Sequence, residues 1–167
     1  SMIQFFDRVL GASRLTVAGE VAFNHIGGLE SGAGSTRYGR DPLFGQAPIS
    51  PLAGGACIAH TSAKSGERWC EDDGFITRNS WGYRVRAALD YSNVFAGINL
   101  TPNLAWSHDV DGYGPNFTEG AKSVSLGLNA DYKNRYNASL SYTSFFDGKY
   151  SVVKDRDFMA FSLGVSF

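Results

Sequence analysis

The chain reads as a series of ribbons with a two-residue period, one row greasy and the other small or polar. In residues 157–167 the row Met159, Phe161, Leu163, Val165 and Phe167 opposes Ala160, Ser162, Gly164 and Ser166. Successive side chains of a strand point to opposite faces, so this alternation predicts a strand between apolar and wet surroundings. The same dyad recurs in residues 122–133, where Val124, Leu126, Leu128, Ala130 and Tyr132 oppose Ser123, Ser125, Gly127, Asn129 and Asp131. It returns in 136–148 (Tyr136, Ala138, Leu140, Tyr142), in 81–91 (Trp81, Tyr83, Val85, Ala87, Leu89, Tyr91) and in 94–106 (Val94, Ala96, Ile98, Leu100, Leu104, Trp106). Residues 15–24 repeat it with Leu15, Val17, Val21 and Phe23, and a less regular run, 2–10, comes first.

The connections alternate in length. Gly11-Ala12-Ser13, Ser92-Asn93 and Asn134-Arg135 are short, whereas about 24–79, 109–121 and 147–156 are long. Short turns on one side and long loops on the other are the habit of outer-membrane barrels, in which the short turns are periplasmic. The polar rows, rich in Gly, Ser, Asn and charges of both signs, suit a wet lumen better than a dry centre. Aromatic residues fall at both ends of the apolar rows: Trp81, Tyr83, Trp106 and Phe146 at one rim, Tyr91, Tyr132, Tyr136 and Phe167 at the other. Interfacial girdles sit at such positions. The predicted fold is therefore all-β, an antiparallel up-and-down transmembrane barrel segment spanning residues 1–167, with a long outer loop at about 29–78. A soluble eight-stranded barrel that buries its apolar rows is the alternative.

Composition changes this picture little. A net charge of −1, 43% hydrophobic residues and a mean hydropathy of −0.18 are averages of a soluble protein, as expected where half of every strand is polar. No apolar run reaches the eighteen residues of a membrane helix. The amino terminus carries no basic, apolar-cored leader, so the chain is expected to be mature or truncated. Seven strands would leave an odd count and open edges in lipid, and the expectation is the carboxy-terminal piece of a larger barrel.

The run Asp73-Gly74-Phe75-Ile76-Thr77-Arg78-Asn79-Ser80-Trp81-Gly82-Tyr83 and the blocks Ser107-His108-Asp109-Val110, Asn116-Phe117-Thr118-Glu119-Gly120 and Asp155-Arg156-Asp157-Phe158 carry a resemblance. From Leu10 onward the chain resembles the carboxy-terminal portion of proteobacterial proteins grouped as domain-of-unknown-function family 1302 (DUF1302). The resemblance implies an outer-membrane barrel several hundred residues long. It also implies service with periplasmic transport partners in handling lipophilic compounds, and it supplies no catalytic residues. The terminal Phe161, Leu163, Val165 and Phe167 resemble the signal read by the barrel assembly machinery.

Candidate chemistry lies on the inward rows. Glu20, Arg84, Arg86, Asp90 and Asp131 are expected to line the lumen, where charged side chains select solutes. The competing reading is that they pair across strands, Glu20 with Arg84 or Arg86, and hold the wall. Cys57 and Cys70 are the only cysteines. A disulfide between them would close a fourteen-residue loop and contribute about 3 kcal/mol in the chain-entropy model. Cys57-x-x-His60 with Cys70 is the metal-binding alternative, but a fourth ligand is not evident. No metal and no cofactor are expected.

Ser107, His108 and Asp109 are consecutive on one strand and point to alternate faces, which cannot assemble a triad, so no enzyme activity is expected. No basic tract supports nucleic-acid binding. The sequence thus points to a passive outer-membrane channel for small compounds, lipophilic ones included, embedded in outer-membrane lipid with its carboxy terminus periplasmic. A small closed barrel with a structural or adhesive role is the alternative.

Overall fold

The computed structural model describes residues 1–30, 35–41, 44 and 73–166. Seven strands, β1 (Met2–Asp7), β2 (Arg14–His25), β3 (Asn79–Phe95), β4 (Ile98–Asp111), β5 (Ala121–Tyr132), β6 (Tyr136–Asp147) and β7 (Phe158–Val165), form one sheet in sequence order. Each pairs antiparallel with the next. The sheet is not closed: β1 and β7 are its two edges.

Registers align the alternating rows across the sheet. Val17, Ala87, Leu104, Leu126, Tyr142 and Met159 lie side by side from β2 to β7, each opposite the next. On the other face the neighbouring row reads Ala18, Arg86, Ala105, Ser125, Thr143 and Phe158. A slip of one residue in any ladder would put a polar row among apolar ones, so the shared pattern fixes the register. Strand β1 breaks the rule. Gln4 opposes Val17 on the apolar face, while Ile3 and Phe5 oppose Ala18 and Thr16 on the polar one. The irregularity of that run in the sequence has this consequence.

Two turn positions differ from the sequence expectation. The β3–β4 hairpin closes at Ala96-Gly97, with φ of 52° and 82°, rather than at Ser92-Asn93. Two central residues with positive φ make the turn whose twist suits a hairpin. Asn93, also at φ 52°, sits inside β3 at a register shift; its N–H donates to Asn99 Oδ1 at 2.9 Å, and its Oδ1 accepts the Gly97 N–H at 3.0 Å. The β5–β6 turn is centred one residue early, on Lys133-Asn134. Within β4, Pro102 has no N–H to give, and the β3–β4 ladder skips from Ala88↔Asn103 to Tyr91↔Leu100. Thr101 Oγ1 donates to Asp90 Oδ1 at 3.3 Å in that gap.

Nothing in the described residues covers the apolar face. Leu126, Leu140 and Leu163 are 57%, 45% and 72% exposed. Aromatic pairs mark its two ends. At the long-loop end Trp106 Nε1 donates to Tyr83 Oη at 3.3 Å and the Trp106 ring lies 5.8 Å from Phe146. At the short-turn end Tyr132 stacks on Tyr136 at 6.2 Å, and Tyr91 Oη donates to the Leu10 carbonyl at 3.1 Å. Buried apolar side chains lie elsewhere. Apart from Ala12, those described are Phe44, Tyr113, Phe117 and Tyr150, all in the long connections.

Candidate functional site

The polar face is a wall of hydroxyls and amides with a few charges. Ser107 and Ser123 share a hydrogen bond of 2.7 Å, Thr143 donates to Ser125 at 2.9 Å, and Ser139 and Ser162 share one of 2.7 Å. These bonds run strand to strand, so the hydroxyls of β4 to β7 brace one another.

All five predicted charges lie on this face by register. Glu20 stands directly opposite Arg84, Ala18 opposite Arg86, Arg14 opposite Asp90, and Asn99 opposite Asp131. Two of the five serve the wall near the short turns. Asp90 accepts from Thr101, and Asp131 Oδ1 accepts the Asn134 N–H at 3.2 Å. The remaining three, Glu20, Arg84 and Arg86, are exposed. Among the described residues the ion pairs are Arg14 with Asp7 and Lys122 with Asp147, and none joins Glu20 to either arginine.

The β4–β5 loop, residues 112–120, leans onto the polar face at its long-loop end. Gly82 makes this approach feasible. A Cβ there would lie 2.7 Å from the His108 carbonyl oxygen and 3.0 Å from the Phe117 ring. Phe117 is thereby buried against β3. The loop is braced internally, with Asp109 Oδ2 accepting the Thr118 N–H at 2.9 Å and Glu119 Oε2 accepting the Gly112 N–H at 3.0 Å. Thr77 ties it to the β2–β3 connection: its Oγ1 accepts the Tyr113 N–H at 2.9 Å, and its N–H donates to the Tyr113 carbonyl at 2.9 Å.

Tyr113 then joins all three long connections. Its ring lies 5.8 Å from Tyr150 of the β6–β7 loop, which meets Phe44 edge-on at 5.5 Å. Arg40 lies 4.7 Å over Tyr150 and 5.2 Å over Phe75, and it donates to the carbonyls of Asp73 and Phe44 at 2.9 and 2.6 Å. Burial holds the Tyr113 phenol well above the usual tyrosine range, with Asp73 and Glu119 adding to the shift. The described parts of the long loops therefore form one braced cap, and the β4–β5 member of it presses on the polar side of the sheet.

A family model described as protein of unknown function (DUF1302) matches residues 1–167, the whole chain. The chain belongs to the DUF1302 family. No curated protein and no solved structure matches it.

In this DUF1302 chain the other predicted positions fall as follows. Phe161, Leu163 and Val165 share the apolar row of the edge strand β7. Phe167, Cys57, Cys70 and His60 lie outside the described residues. Ser107 and Asp109 are on the polar face and His108 on the apolar one, where its ring meets Tyr83 at 5.5 Å. The alternating pattern assigns no role to the loop aromatics Phe44, Tyr113, Phe117 and Tyr150, nor to Phe145 and Phe158, which stack at 6.2 Å on the polar face. Their signal is aromatic residues placed off the apolar rows, and Phe117 and Phe158 also fall within the blocks that carry the resemblance.

Proposed function

We propose that this DUF1302 chain forms wall of an outer-membrane barrel whose apolar face meets lipid and whose polar face lines a water-filled passage for small solutes. One observation carries the reading. The apolar row Val17, Ala87, Leu104, Leu126, Tyr142 and Met159 crosses β2 to β7 with nothing among the described residues packed on it, while the described β4–β5 loop folds onto the opposite, polar face. Each large apolar side chain left bare in water forgoes about 1.5–3 kcal/mol, a loss that a lipid surround removes. From Trp81 to Tyr91 the strand rises about 3.3 Å per residue, and a tilt of about 40° leaves a height of about 25 Å, the span of an outer-membrane apolar band. Lipid also requires that the backbone groups of β1 and β7 be paired, with each other or with further strands. The carboxy-terminal row of β7 is then the part offered to the barrel assembly machinery, and the cap faces the cell exterior.

Single-channel recording of the full-length protein in planar bilayers tests the passage. Discrete conductance is the expected result, and a silent, inserted barrel would favour a structural or adhesive role for the braced loops. Replacing Arg84 and Arg86 together by Ala removes two positive charges from the passage and is expected to shift its preference toward cations. Unchanged selectivity would assign both arginines to wall support.

A further inference from the structure

Beneath the β4–β5 loop the polar face carries a half-open cavity of about 160 Å³, lined by Glu20 and Ala22 of β2, Gly82, Tyr83 and Arg84 of β3, and Asn116 and Phe117 of the loop. Sites for drug-sized ligands measure about 300–1,000 Å³, so this one suits a small solute. On the polar side it presents one carboxylate, one guanidinium, one amide and the Phe117 ring, while the Tyr83 ring lies with His108 on the apolar face. Directly opposed residues of an antiparallel pair have Cβ atoms about 4.5–5.5 Å apart, within reach of an ion pair. Glu20 and Arg84 are so opposed, yet no ion pair forms between them, and neither side chain has a hydrogen bond among the described residues. Ser107, on the other flank of Arg84, has its hydroxyl engaged with Ser123. Both charged groups therefore line the cavity with their bonding capacity open.

A simple anion entering here meets Glu20 as well as Arg84, and a simple cation meets the reverse; in each case one contact repels. A solute bearing both charges satisfies both groups; the Asp109 carboxylate, which Arg84 also attracts, is not among the lining residues. We propose that the cavity is a subsite for small zwitterionic solutes of the amino-acid class, the carboxylate held by Arg84 and the ammonium by Glu20, with Asn116 and Phe117 against the body of the solute. The proposal rests on the polar face being the solute-bearing side, and it names the class of solute that the passage would hold.

Saturation-transfer NMR on the detergent-solubilised full-length protein, titrated with L-alanine, propionate or ethylamine, compares three solutes of similar size that differ in charge. Saturable binding of alanine, with propionate and ethylamine each at least about tenfold weaker, is the expected result, since a charge-assisted bond is worth a factor of ten or more. E20Q should erase the advantage over propionate, and R84Q the advantage over ethylamine. The double exchange Glu20→Arg with Arg84→Glu keeps both charges and should restore alanine binding, which separates recognition from damage to the fold. Equal binding of propionate and alanine to the unmodified protein, or alanine binding indifferent to both single changes, overturns the proposal. Because binding is read without current, a silent barrel that still selects alanine sinks the channel alone, and a conducting barrel indifferent to alanine sinks the subsite alone.

Discussion

The two faces of the sheet are built from the same backbone and differ in what touches them. On the apolar face no side chain or loop among the described residues packs over Leu104, Leu126 or Leu140, and all three stand exposed. On the polar face hydroxyls bond from strand to strand, and a loop seats Phe117 against Gly82. The lesson is that the small residues of the polar rows make room for contacts, whereas the large residues of the apolar rows make a surface for a solvent. The strongest test places one charge on each face at adjacent positions of β5. Leu128→Arg, mid-height on the apolar face, is expected to cost about 2–4 kcal/mol of stability in lipid. Asn129→Arg, one residue on and facing the other way, should stay within about 0.5 kcal/mol. Denaturant titration of the full-length protein refolded into vesicles measures both, and equal costs would mean that the faces see the same medium.

Glycine supplies a gentler version of the same test. Gly19 lies opposite Val85 on the apolar face, and a Cβ added there meets nothing within 4 Å. Gly82 lies on the polar face, where a Cβ collides with the His108 carbonyl and the Phe117 ring. Gly82→Val should therefore cost about 1–3 kcal/mol by overpacking and lift the β4–β5 loop. Gly19→Val should be neutral or better, since it adds a branched residue to a half-open strand surface. Limited proteolysis within residues 112–120 reads the loop directly. Faster cleavage only in the Gly82 variant is expected, and cleavage unchanged in both would detach Phe117 from any anchoring role.

Much of the sheet was legible because one signal was repeated. The existence of β2 to β7 and their faces follow from a period of two, which is local and survives any curvature of the sheet. Two turns moved for reasons that period does not carry. Asn93 adopts a positive φ inside a strand rather than in a turn, and the true hairpin uses Ala96, a residue without turn chemistry, before Gly97. The candidate site was legible by halves. Glu20, Arg84 and Arg86 could be placed on the polar face from alternation alone. Their neighbours Asn116 and Phe117 could not, because whether a loop folds over one face or the other depends on contacts far apart in sequence, such as Phe117 with Gly82 and Thr77 with Tyr113. Strand β1 shows the limit from the other side: its blurred alternation in the sequence is a real mismatch, with Gln4 on the apolar face.

The smallest expected effects concern pH, and they too separate two regions, the loop cap and the exposed base of β7. Tyr113 in the cap has its phenol pushed above the ordinary range by burial. A raised folded pKa means that the contribution of this group is complete below the ordinary tyrosine pKa of about 10 and is lost as pH climbs beyond it. Asp157, the loop residue just before β7, has its carboxyl lowered, first by the Tyr142 hydroxyl, which donates to Oδ2 at 2.7 Å, and then by the Phe145 N–H, which donates to Oδ1 at 3.0 Å. A lowered folded pKa works the opposite way: the anchoring is complete above the ordinary aspartate pKa of about 3.9 and fades as pH falls through the folded value. Hydrogen exchange of loop residues 148–157 should therefore quicken on the acid side, and that of residues 112–120 on the alkaline side. Tyr142→Phe removes the first cause of the Asp157 shift and should move the acid limb to higher pH while leaving the alkaline limb in place. An acid limb that does not move would show that the Phe145 N–H alone holds the carboxylate.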